Sequence, residues 1–190
     1  MSNSTQETEA QYRARMDDER VKLDQAMTDQ ARSPLSRDQI QRFKGISYFP
    51  VDMKFKISAT LKKAGELSTR ITMTDGSQLD LVKYGSASFS LDGNTITLEV
   101  FRDKNLPELS EQPGQLFIPF LDKTAGTDTS ETGRFIAFDE PQKEDVVELD
   151  FNRARNTYNG FNRSHSSVMA PAANNPKVHF SVGQRKFEDR

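Results

Sequence analysis

Met53, Phe55, Ile57, Ala59 and Leu61 alternate with Lys54, Lys56, Ser58, Thr60 and Lys62, and no other pattern in the chain constrains its fold as strongly. Successive side chains of a strand point to opposite faces, so a period of two describes a strand with one wet face and one dry face. Ala64-Gly65 predicts a turn, after which Leu67, Thr69, Ile71 and Met73 continue the inward set, and Asp75-Gly76 is a strong hairpin signal. Runs 78–84, 87–91 and 95–101 follow, the last two joined by Asp92-Gly93-Asn94. Five short antiparallel strands in succession make a meander, which must curl into a barrel or meet a second layer to cover its apolar face. The expected fold is mainly β (α+β by count): a curled antiparallel meander or barrel-like sheet, with a long N-terminal helix and a short capped helix.

The first five residues are expected to form a tail. Residues 7–32 are dense in Glu, Asp, Arg, Lys, Gln and Ala and contain neither Gly nor Pro, which favours a helix. Its apolar stripe, Tyr12, Met16, Leu23, Met27 and Ala31, is thin. A stripe that narrow covers little surface, and suits a helix lying along its own domain or an arm for a homodimer. Ser33-Pro34 breaks it. Ser36 and Gln39 then form a capping box, with Leu35 and Ile40 as the hydrophobic staple, predicting a helix over 37–44 that buries Ile40 and Phe43 and stops at Gly45. The expected division is a tail and helical arm at 1–32 and a single β-rich domain at 33–190, within reach of a chain of 190 residues.

In the second half two apolar runs, 116–121 and 135–138, bracket a stretch of small and polar residues that reads as a loop held between strands. Val147, Leu149 and Phe151 share one face of a further strand, 152–175 is mostly irregular, and 178–182 predicts a last strand ended by Gly183.

Loops fixed by a rigid scaffold are where binding groups tend to lie. Arg134, at the foot of a strand, is suited to a bidentate grip on a carboxylate or phosphate. Thr124, Thr127 and Thr129, with the Gly126 and Gly133 amides, can complete an anion site of the nest type, flanked by Asp122, Arg102, Asn152, Asn156 and Tyr158. The favoured function is therefore binding of a small anionic ligand at the 122–134 loop. Two alternatives stand beside it. A hydrolase or isomerase would use Asp122 and Asp150 as a carboxylate pair, one with a raised pKa. A structural or dimerisation protein would have no small-molecule site, and Arg134 would then form an internal ion pair with Asp122 or Asp150 that fixes an awkward loop.

Other chemistry finds little to stand on. No cofactor or metal is expected: cysteine is absent, and His165 and His179, the only histidines, lack a ligand-type spacing. There is no G-x-S-x-G elbow, Walker loop or GxGxxG. A net charge of -2 makes no field to gather nucleic acid or an anionic membrane, so neither is an expected partner. The start of the chain has no apolar core of a signal peptide, and no window is long enough to span a bilayer, so a soluble, cytoplasmic protein is expected.

Three segments taken together, FRDKNLPEL, LFIPFLDKTAGTDTSETGRFIAFD and LDFNRARNTY, resemble the uncharacterised bacterial and archaeal domain of unknown function family 1684. The resemblance runs from about Ser33 to Phe187, and its pattern is matched at Arg102, Asp122, Thr124, Thr129, Arg134, Asp150, Asn152 and Asn156, among others. It implies no established activity. It also implies a C-terminal part with an Asn-Pro-Tyr-Cys string, a second cysteine and a closing Gly-Glu. This chain has Asn156-Thr157-Tyr158-Asn159, no cysteine, and Gly183-Gln184 at those places.

Overall fold

The computed structural model describes residues 7–102, 115–142 and 145–189; the expectations for the first five residues and for 103–114 lie outside them. By its contacts the chain divides into two compact units, Met1–Ile46 with Asp189–Arg190, and Ser47–Glu188.

The first unit carries α1 (Glu9–Met27) and α2 (Arg37–Arg42). Thr8 caps α1 in a capping box, its hydroxyl accepting from the Gln11 amide while the Gln11 side chain accepts from the Thr8 amide at 3.0 Å. The helix ends at Met27, short of the expected 32. Thr28 Oγ1 bonds back to the Gln25 carbonyl at 2.7 Å and the Asp29 carboxylate takes the Ala31 amide at 3.0 Å. Such local side-chain bonds offer the backbone an alternative to the helix. Tyr12, Met16 and Met27 of the expected stripe are buried, Leu23 is half-buried and Ala31 exposed. In α2 the Ser36–Gln39 capping box forms as expected, but Phe43 is already extended, so the helix stops before Gly45, and Ile40 and Phe43 are only half-buried. No helix among the described residues is long and apolar enough to cross a membrane.

The second unit is built on one antiparallel sheet. Its seven strands are β1 (Lys56–Thr72), β2 (Gln78–Leu91), β3 (Asn94–Arg102), β4 (Leu116–Phe120), β5 (Arg134–Phe138), β6 (Val146–Asp150) and β7 (Arg155–Asn156), in the order β6-β1-β2-β3-β4-β5-β7. The sheet does not close: β6 and β7 are its edges. It is mainly β as expected, an open antiparallel sheet and not a closed barrel.

Where five short strands were expected, three long ones form: the Ala64-Gly65 signal marks a bulge and not a turn, and runs 78–84 and 87–91 join through Gly85 into one strand. Lys63 pairs with Gly85 and Leu67 with Lys83, so Ala64, Gly65 and Glu66 of β1 stand opposite Tyr84 alone. Gly65 and Glu66 both adopt positive φ, 78° and 55°, which lets the extra residues loop out while the strand continues. Across from them a Cβ on Gly85 would lie 2.0 Å from the Lys62 carbonyl oxygen, so only glycine admits this approach. The bulge interrupts the inward alternation: Leu61 is buried and Leu67 exposed, and only further along does Ile71 turn inward again, into the smaller core with Met73 against it.

β4 is buried on both faces, which is why it reads as a continuous apolar run. Leu116, Ile118 and Phe120 enter the larger core with Leu149, Phe151 and Phe180, while Phe117 joins Phe101, Phe135 and Val168 in a smaller one. Phe151 and Phe180 stack at 4.2 Å, and Phe120 meets both edge-on at 5.4 and 5.5 Å. β3 and β4 pair only at Phe101 and Arg102. Where they splay, the buried Asn174 side chain takes a strand's place, accepting from the Glu99 amide at 2.6 Å and donating to the Glu99 and Pro119 carbonyls at 2.9 Å each.

Candidate functional site

β4 and β5 pair from Leu116↔Phe138 to Phe120↔Arg134, and the residues between them form the loop. Its first turn is tied to the C-terminal segment: the Leu121 amide donates to the Asn174 carbonyl and the Lys123 amide to the Val178 carbonyl, both at 2.9 Å. Asp122, between them, therefore points inward and is buried. Its Oδ2 accepts the Phe180 amide at 2.6 Å, and its Oδ1 accepts the Thr124 hydroxyl at 2.7 Å. Thr124 Oγ1 lies 2.9 Å from Thr129 Oγ1, and the Thr124 carbonyl accepts from the amides of Thr127, Asp128 and Thr129. Two positive-φ glycines, Gly126 and Gly133, turn the loop, and a Cβ on Gly133 would come within 2.8 Å of the Phe120 carbonyl oxygen. Polar by composition, the loop folds its polar groups onto themselves.

Arg134 completes this network from the other side and is only 2 % exposed. Nη1 donates to the Val182 and Gln184 carbonyls, and Nη2 to the Phe180 carbonyl at 2.8 Å and to Asp122 Oδ2 at 3.5 Å. Four donors of the guanidinium's fork thus meet four internal oxygens, with the plane resting 5.3 Å from the Phe120 ring centroid. Burial pushes the Arg134 pKa down to about 10, against the opposing pull of Asp122, which still leaves it charged at neutral pH. This arrangement also explains the missing last strand. Residues 178–182 lie outside the sheet, the Phe180 and Val182 carbonyls being taken by a side chain in place of a neighbouring strand.

Of the residues singled out in the sequence, Asp122, Thr124, Thr129 and Arg134 come together in this network. Asn156 joins it indirectly: it pairs with Arg134 across β5 and β7, and its amide donates to Gln184 Oε1 at 2.8 Å. The Asn156 Oδ1 and Thr157 Oγ1 atoms are buried without a hydrogen-bond partner among the described residues. Asn152 serves another purpose, clamping the Asp52 backbone with two 2.9 Å bonds. Asp150 accepts the Asn152 amide at 3.1 Å and caps the 3₁₀ turn Phe151–Arg153. Tyr158, in α3 (Tyr158–Phe161), lies edge-on to His165 at 5.6 Å. Asp122, not Asp150, is the acid that Arg134 meets.

Arg102 belongs to a separate cluster. It meets Glu66 and Glu140, each at 2.8 Å, and lies 5.1 Å from the Tyr84 ring centroid. Glu140 also accepts the Tyr84 hydroxyl at 2.6 Å and faces Lys63 at 3.4 Å. The Tyr84 hydrogen bond, then Arg102, hold the Glu140 carboxyl at about 2. Burial, foremost, pushes the Tyr84 phenol up. Sequence reasoning missed Glu140, Tyr84, Asn174 and Gln184. Only Gln184, beside Gly183 in the resemblance, carried any local signal.

Together these features define a small β-rich domain whose polar loop buries Asp122, Thr124, Thr129 and Arg134 and leaves Lys123, Gly126, Thr127, Asp128 and Glu131 exposed. The family model described as Protein of unknown function (DUF1684) matches residues 41–185, and the chain belongs to that family. It is similar to an uncharacterized protein of Haloarcula marismortui, solved in solution by NMR, at 24% identity and a TM-score of 0.70 over 93% of this chain and 95% of that one; the likeness is one of fold. No curated protein matches the chain.

Proposed function

We propose that the protein is a structural or binding module, and that the 122–134 loop is a lock holding its C-terminal segment against the sheet rather than a ligand site. The observation that carries this reading is the Arg134 guanidinium, buried and engaged with the Phe180, Val182 and Gln184 carbonyls and Asp122. An anion could be gripped there only by displacing those oxygens and opening the loop. For the carboxylate-pair alternative, Asp122 already serves Phe180, Thr124 and Arg134, while Asp150 caps a turn.

A thermal-shift screen of anionic metabolites separates the readings. The lock predicts no anion that stabilises the wild type and loses its effect in Arg134→Lys, which keeps the charge. One such anion would restore the ligand reading. For an N-terminal dimerisation arm, Tyr12, Met16 and Met27 are already buried in the single chain, so the full chain is expected to sediment as a monomer. A dimer that becomes a monomer on deletion of 1–32 would reverse that.

A further inference from the structure

β3 has an open edge. Both the amide and the carbonyl of Glu99 turn away from β2 and are met by Asn174. Amide and carbonyl directions alternate along a strand, so Thr97 and Thr95 turn the same way, while Ile96, Leu98 and Val100 face β2 with their main chain and the core with their side chains. β4 reaches only Phe101 and Arg102, and the backbones of Thr95 and Thr97 meet no partner among the described residues on this side. The edge is therefore occupied by β4 at Phe101 and Arg102, bridged by a side chain at Glu99, and open at Thr97 and Thr95.

A cleft of about 270 Å³ lies along those rungs, between Thr95 and Thr97 on one wall and Ala173, Pro176, Lys177 and Val178 on the other. An extended chain takes about 3.3 Å along its axis, ~4.8 Å between strands and ~10 Å between layers, or about 160 Å³ per residue. The cleft holds about two residues of such a chain. Lys177 is exposed and has no ion-pair partner among the described residues, so the cleft presents one uncommitted positive charge beside two open backbone rungs.

We propose that the β3 edge at Thr95 and Thr97 binds an extended peptide by strand addition, with a peptide carboxylate against Lys177. Main-chain bonds to the open rungs supply affinity in this mode, and the flanking charge supplies preference. The carboxylate comes from an acidic side chain or from a chain terminus. This inference deepens the reading of the protein as a binding module and rests on it.

The test is an amide-resolved NMR titration of the full chain with two probes, the blocked acidic peptide acetyl-Thr-Val-Thr-Val-Asp-amide and the free-carboxylate peptide acetyl-Thr-Val-Thr-Val. Saturable shifts are expected at Thr95, Thr97 and Val178, and the stronger of the two probes names the source of the carboxylate. Lys177→Glu should weaken binding by about fivefold, the size of one exposed ion pair. N-methylation of the peptide backbone should abolish the shifts, since it removes the added strand's donors. Shifts that are absent at millimolar peptide, survive N-methylation or ignore Lys177→Glu would overturn the proposal. So would shifts at Thr95 and Thr97 that follow protein concentration alone, which would mark pairing with a second copy. Lys177 lies outside the Arg134 network, so failure here leaves the lock to be judged by the thermal-shift result.

Discussion

Arg134 and Arg102 look alike in the sequence, each at the end of a strand among polar residues, and the protein uses them in opposite ways. Arg134 is buried, meets three carbonyls and one carboxylate, and has its pKa drawn down by desolvation. Arg102 is partly exposed, meets two carboxylates beside a tyrosine ring, and has its pKa raised, by Glu140 first. A buried charge must have every donor met or the fold loses several kcal/mol. Near the surface water covers any shortfall, and the same contacts are worth little. The contrast teaches that an arginine's surroundings, not its place on a strand, decide whether it is a fastener or part of a solvated patch.

The largest expected effect tests the buried member. Arg134→Ala should cost about 3–5 kcal/mol in denaturant unfolding, because Asp122 is left charged and buried and three carbonyls lose their donor. If that variant does not fold, Arg134→Lys should fold with a loss of about 1–3 kcal/mol, since the ammonium cannot reproduce the planar fork. A loss below about 1 kcal/mol for Arg134→Ala would break the contrast. Asn174→Ala sharpens it by removing a neutral buried tie: about 1–3 kcal/mol is expected from three lost bonds. A value matching Arg134→Ala would mean that buried hydrogen bonding, not charge, sets the scale. Arg102→Ala should cost less than about 1 kcal/mol at low salt and still less at high salt. A larger, salt-independent loss would place Arg102 with Arg134.

The smallest effect is a pH dependence. Glu140 is held at about 2 in the folded protein against an ordinary 4.5. Its contribution is therefore fully present above the ordinary value and lost as pH falls through the folded one. Because the group is partly exposed, screening keeps that contribution small. Unfolding free energies of wild type and Glu140→Gln should differ slightly at pH 6 and converge toward pH 2; a constant gap across that window would remove Glu140 from the acid response.

Much of the fold was legible locally. The Ser36–Gln39 capping box, the 75–76 and 92–94 turns, the doubly buried run at 116–120 and the shared face of Val147, Leu149 and Phe151 follow from short-range pattern, and the structure has them. The residues of the 122–134 network were legible in the sequence, and their burial was not. Asp122, Thr124, Thr129 and Arg134 do come together, but a polar loop looks the same in sequence whether its donors face water or one another. Gly65 misled for a related reason: a glycine signal says that the backbone needs freedom, and a partner strand decides whether it spends that freedom on a turn or a bulge.

The sequence by itself determined the capped helix α2, the alternation that gives β1 a dry face as far as Leu61, and the clustering of donors and acceptors around 122–134, because each rests on interactions within a few residues. Only the tertiary structure decided that β1 continues past Gly65, that 178–182 stays out of the sheet, and that Arg134 meets carbonyls some fifty positions away. Those outcomes depend on which backbone lies opposite and on whether water reaches it. The loop between β4 and β5, polar enough to be taken for an open binding site, is closed by a segment whose approach no local pattern records.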